Sequence, residues 1–164
     1  VPEPSHDPAE PTWPAEVYHP AAPTSDPHCN QKGIHRVVTS DPGSDWPRTP
    51  QEMAARATTV VLADAFEQRT YWRYNTQAAD DWTGMTATNF RVVQVVKGAP
   101  VRWVQQSEIG ARSKSLPCPT MLYVDSSSPL IEVGSRYLLF ITPQKYSIPY
   151  FRFVVVGGTV HSEG

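Results

Sequence analysis

Eleven of the chain's seventeen prolines fall within residues 1–50, spaced every few positions from Pro2 to Pro27. Each fixes φ and removes a backbone donor, so neither a helix nor a central strand can persist through such a stretch. The pattern predicts an extended, polyproline-like arm over residues 1–48 and a folded body over 49–164. Charge divides along the same line. Residues 1–50 carry three basic side chains (Lys32, Arg36, Arg48) and seven acidic ones, a net of −4, whereas the remaining 114 residues carry eleven basic and nine acidic, a net of +2. Arm and body are electrostatically complementary. With 164 residues, one domain plus an appendage is expected. No apolar run approaches the ~20 residues of a spanning helix.

The body opens at Thr49-Pro50-Gln51-Glu52, a capping box with proline at the first helical position, which predicts a helix over 50–57. The β-branched run Thr58–Ala63 reads as a strand reaching towards Phe66, with Glu67–Trp72 either extending it or returning as a hairpin arm. Residues 75–84 read as a loop. Thr86–Val96 is the clearest strand, Lys97–Pro100 a turn and Val101–Gln105 the next strand. A long irregular stretch over 110–129 precedes strands at Arg136–Ile141, Tyr150–Val156 and Thr159–His161. Five or six short strands and one small helix describe an all-β fold, a barrel or a sandwich. Alternation predicts that Val60, Leu62, Phe90, Val92, Val96, Tyr137, Leu139, Ile141, Phe153 and Val155 share one interior.

The stretches Ala57–Ala63, Thr88–Gly98 and Val133–Ile141 carry a "VVL-A" strand, a strand ending in Val95-Val96-Lys97-Gly98, and the closing Val133-Gly134-Ser135-Arg136-Tyr137-Leu138-Leu139-Phe140. This order resembles secreted bacterial domains with an oligonucleotide/oligosaccharide-binding (OB) barrel, which are similar in turn to the netrin-like modules of tissue inhibitors of metalloproteinases. The resemblance implies a five- or six-stranded OB-like barrel in an extracellular or cell-surface setting. Those inhibitors chelate zinc through an N-terminal cysteine among several disulfides. Here the first cysteine is Cys29 and there are two in all, so inhibition is not implied.

Little in the sequence points to catalysis. There is no Gly-x-Ser-x-Gly elbow and no glycine-rich phosphate loop. Asp80 and Asp81 are adjacent, which does not place two carboxyls across a cleft. His28, Cys29 and His35 lack the paired spacing of structural zinc, and Asp125-Ser126-Ser127-Ser128 reads as a polar loop. Arg69, Tyr71, Trp72, Arg73 and Tyr74 interleave basic and aromatic residues as single-strand binders do, but a body charge of +2 offers little counterion-release affinity. The expectation is therefore a non-enzymatic protein with no cofactor, metal, nucleic acid or membrane span. It makes protein contacts, through self-association by the arm as a subunit of a surface assembly or, alternatively, as a monomeric secreted netrin-like module that binds a ligand or protease; an uncharacterised enzyme is the third alternative. Trp13, Val17, Tyr18 and Trp46 are the arm's apolar anchors, and Arg91, Arg102, Arg136 and Arg152 are candidate basic acceptors on the body strands.

Cys29 and Cys118 fit one structural disulfide between the base of the arm and the long loop; free buried thiols and reactive or metal-bound thiols are the alternatives. The disulfide predicts a single cross-linked peptide in non-reducing mapping and, in the chain-entropy model, about 4–5 kcal/mol of stabilisation lost on reduction. Recovery of both cysteines as alkylatable thiols would refute it.

Overall fold

The computed structural model describes residues 7–19, 36–38, 49–75, 81–111, 123–125, 130–142 and 152–161. Within them lie α1 (Ala15–Tyr18), β1 (Arg36–Val38), α2 (Pro50–Arg56), β2 (Thr59–Asn75), β3 (Asp81–Lys97), β4 (Trp103–Ala111), β5 (Tyr123–Asp125), β6 (Arg136–Ile141), β7 (Arg152–Val156) and β8 (Thr159–His161). The strands pair in the order β1-β5-β4-β3-β2-β6-β7-β8. All pairings are antiparallel apart from β1 with β5. The fold is all-β, and this order does not return on itself. No helix among the described residues is long and apolar enough to cross a membrane.

The arm is not uniformly extended. One helical turn follows Pro14, where five residues separate consecutive prolines and Pro14 itself precedes the first helical residue, a position that tolerates proline. The strand β1 falls in the longest proline-free interval of the arm, between Pro27 and Pro42, where Val37 and Val38 favour extended pairing. At the start of the body, α2 forms as its cap dictates, with Thr49 Oγ1 accepting from the Glu52 backbone N–H at 3.2 Å. Glu67–Trp72 extends β2 rather than turning back, so β2 and β3 make one long hairpin. The turn from β3 to β4 needs Gly98, whose φ is +101° and whose absent Cβ would lie 2.7 Å from the Thr58 carbonyl.

Three bulges set the side-chain faces of this hairpin. Phe66 is an extra residue in β2, and Val93 and Val96 are extra residues in β3. Each inserted residue reverses the alternation beyond it. In β2, which has no insertion before Phe66, the inner face takes Val61, Ala63 and Ala65 rather than Val60 and Leu62. These pack with Phe90, Ile131, Tyr137 and Leu139, while Val92, Val95, Val104, Ile141 and Val154 lean against them. Val96 is pushed into solvent. Val60 turns to the outer face and packs with Met53, Ala57 and Phe140 beneath α2, with Phe153 alongside. The expected core thus divides: Phe90, Val92, Tyr137, Leu139 and Ile141 face inward, whereas Val60, Phe153 and Val155 do not. The run Thr59–Ala63 is apolar on both sides, so alternation alone could not reveal which side faces in.

The sheet is strongly curled. In the strand order β4 and β7 are four places apart, about 19 Å in a flat sheet at ~4.8 Å per strand. Nevertheless Arg152 Nη1 on β7 donates to Glu108 Oε2 on β4 at 2.5 Å, both side chains buried. The bulges supply the bending that brings them together.

Leu139→Ala should cost about 2–5 kcal/mol in chemical denaturation, as a fully buried leucine on the inner face. Val96→Ala should stay within about 0.5 kcal/mol, because the bulge leaves that side chain exposed. Equal costs at the two positions would contradict the assigned faces.

Candidate functional site

The outer face of the sheet is divided into three parts. At one end α2 lies over Val60 and Phe140, with Lys97 Nζ donating to the Ala54 carbonyl at 2.8 Å. At the other end, residues 7–19 of the arm cross β2, β3 and β4 as a strap. Between them lies an open groove of about 1010 Å³.

The strap is held largely by polar side chains. Trp103 Nε1 donates to Asp7 Oδ2 at 2.9 Å, and Arg102 reaches Asp7 Oδ1 at 3.4 Å. The fully buried Asn89 donates through Nδ2 to Glu10 Oε1 and to the Pro11 carbonyl, both at 3.2 Å, and its Oδ1 accepts from Gln105 Nε2 at 2.8 Å. Gln105 Nε2 also donates to the Thr12 carbonyl at 3.0 Å. The Arg69 guanidinium lies over the Trp13 ring, 5.7 Å from its centre. Arg73 Nε meets Glu16 Oε1 at 3.0 Å. The Glu16 carboxyl is held below the ordinary glutamate range, first by a backbone N–H donated to it and then by Arg73. All three carboxylates of residues 7–19 therefore meet a donor on the sheet. Tyr71 shares this outer face and lies under Arg73; its buried hydroxyl has no hydrogen-bond partner among the described residues.

The groove is floored by Leu62, Phe66, Leu138 and Val155 and rimmed by Val96, Val133, Val156 and Val160. Across it Arg136 makes a bidentate pair with Asp64, at 2.7 and 3.1 Å, from opposing positions of β6 and β2. That pairing holds the Asp64 carboxyl below its ordinary range and raises Arg136. Arg91 lies 4.4 Å from the centre of the Phe66 ring and 5.5 Å from that of Trp103, a stacked guanidinium at the boundary of groove and strap.

The sequence-predicted residues are thus dispersed. Trp13 and Val17 are half-buried in the strap, and Tyr18 is exposed with its hydroxyl accepting from the Trp13 backbone N–H. Trp46, Cys29 and Cys118 lie outside the described residues. Of the four candidate acceptor arginines, only Arg102 has an arm carboxylate among its described partners. Arg152 faces inward, because Leu139 pairs with it across β6 and β7, and it is committed to Glu108. Asn89, Gln105 and Trp103 were not anticipated, since outward amides and a tryptophan on a strand carry no motif. Arg69 and Arg73, part of the aromatic–basic alternation in the sequence, here serve the chain's own strap. No group of three metal-ligating side chains gathers among the described residues. No protein-family model matches the chain, and no curated protein matches it significantly in sequence.

Because Glu16 is depressed when docked, its contribution to strap closure is fully present above the free value near ~4.3 and is lost as pH falls through the docked pKa. Carboxyl titration followed by NMR should place its midpoint below ~4.3. Arg73→Ala should move that midpoint upward and increase proteolysis within residues 7–19. An unmoved midpoint would mean the ion pair is not made in solution.

Proposed function

We propose that the chain is a non-catalytic, extracytoplasmic β-domain that makes protein–protein contacts, a structural subunit of a surface assembly held partly by its proline-rich arm. The observation that carries this reading is the gathering of exposed valines. Val96, Val133, Val156 and Val160, each 48–61 % exposed, rim a single groove. Contiguous exposed apolar surface of this kind marks contact sites more often than isolated exposed residues do. The stacked Arg91 and the Asp64–Arg136 pair add polar definition to an apolar floor, the composition of a contact surface with a polar rim. A second copy of the chain is the proposed occupant. The complementary charges of arm and body favour like-with-like assembly, since each copy brings both signs.

The curl that brings β7 against β4 supports an OB-like barrel for the body, in keeping with the resemblance to secreted netrin-like modules. One observation favours a second reading, a monomeric secreted module that binds a ligand or protease: the described strap lies on its own sheet.

Sedimentation across a concentration series discriminates the two. The subunit reading expects a mass rising above the 18.2 kDa monomer, and the combined substitutions Val156→Asp and Val160→Asp should return it to monomer while leaving the melting temperature nearly unchanged. A wild-type chain that stays monomeric at its highest soluble concentration overturns self-assembly in favour of the monomeric module.

A further inference from the structure

We infer that the strap-binding face of β2, β3 and β4 is an exchange site, able to take residues 7–19 of a second copy in place of the chain's own. The inference rests on the self-association proposed above and names the segment through which it is completed.

Recognition at this face is specific in chemistry but indifferent to connectivity. Asp7 needs the Trp103 indole and Arg102, Glu10 needs Asn89, Trp13 needs a stacked guanidinium, and Glu16 needs Arg73. All of these are contacts of residues 7–16 with side chains of β2, β3 and β4 and with Arg102 just before β4. A second copy presents the same groups in the same order. Asn89 makes the face more than a sticky surface. It is fully buried with both Nδ2 contacts on the strap, and Glu10 and the Pro11 carbonyl of a second copy supply the same two acceptors.

Reach is sufficient. Sixteen residues, 20–35, separate the strap from β1, a contour of at most ~55 Å. A domain of this length has a diameter of roughly 40 Å from its expected radius of gyration. The strap can therefore arrive on an adjoining copy while β1 stays paired with β5. Position favours the exchange as well. Arg91 covers both Phe66 of the groove and Trp103 of the strap site, so a copy seated in the groove adjoins the strap's docking face.

The test uses full-length chains with reversed charges. One variant carries Asp7→Arg and Glu16→Arg on the strap, and the other carries Arg73→Glu and Arg102→Glu on the sheet. Each alone is mismatched within its own chain and between identical copies, so each should lose protection of residues 7–19 from proteolysis. In the mixture, either strap meets its complement only on the other chain. The expected result is recovery of protection together with a two-chain species. A mixture that digests as the average of its components overturns the exchange. As a second readout, 15N-labelled chain carrying photoreactive benzoylphenylalanine in place of Trp13 is irradiated with unlabelled wild type. Cross-links from labelled straps to unlabelled β2 or β4 peptides are expected under conditions where mass exceeds monomer. Association without such mixed cross-links refutes the exchange and leaves the groove contact standing, whereas absence of association refutes both.

Discussion

The ion pair between Arg152 and Glu108 is the constraint on which the arrangement of the body depends. Both partners are nearly sealed from water, and desolvating two charges is costly unless the geometry is good and the remaining lone pairs are used. Glu108 meets that condition by accepting from the Ile131 backbone N–H at 2.8 Å through its second oxygen. Gln68 completes the neighbourhood by donating to Thr88 Oγ1 and to the Ile131 carbonyl. A single carboxylate thus ties β4, β7 and the segment before β6 together. Removing either partner would leave a buried charge uncompensated, a loss of about 3–5 kcal/mol in comparable pairs. The pair also specifies the curl, because a flatter sheet could not satisfy both charges.

The curl has consequences for the outer face. A sheet bent over its inner core spreads its outer side chains, and this chain covers that surface unevenly. The helix α2 protects one end with Met53 and Ala57, and the strap protects the other with acidic and aromatic side chains. The middle keeps Leu62, Leu138 and Val155 under an open groove. Covering the strap end is chemically demanding, since Asn89 is buried there and needs an acceptor. The apolar middle makes no such demand and can remain open until a partner arrives.

Much of this was legible in the sequence where local rules decide. Thr49 and Pro50 predicted α2, and the short strand Thr159–His161 was expected where β8 lies. Arg136–Ile141 was found with its observed bounds. What could not be read depended on long-range register. Phe66, Val93 and Val96 are ordinary strand residues, and only pairing shows that each is inserted, so alternation places Val96 on the wrong face, while the apolar run Thr59–Ala63 gives no sign of which side of Val60 and Leu62 faces in. Arg152 looked like a surface cation because its partner, Glu108, is 44 residues away in sequence. The complementarity of arm and body was visible as net charge, but its particular donors were not. Asn89, Gln105 and Trp103 became a site when β3 and β4 came into register beneath the strap.

Tyr71 adds a kinetic side to this picture. Its hydroxyl is buried on the outer face with no described partner, and an unsatisfied polar group of this kind costs about 1–3 kcal/mol. The strap's contacts through Asp7, Glu10 and Glu16 share no residue with the inner core or its ion pair. Strap release is then a local opening, which breaks none of the contacts of the inner core or its ion pair. The residence time of the strap is set apart from the lifetime of the fold.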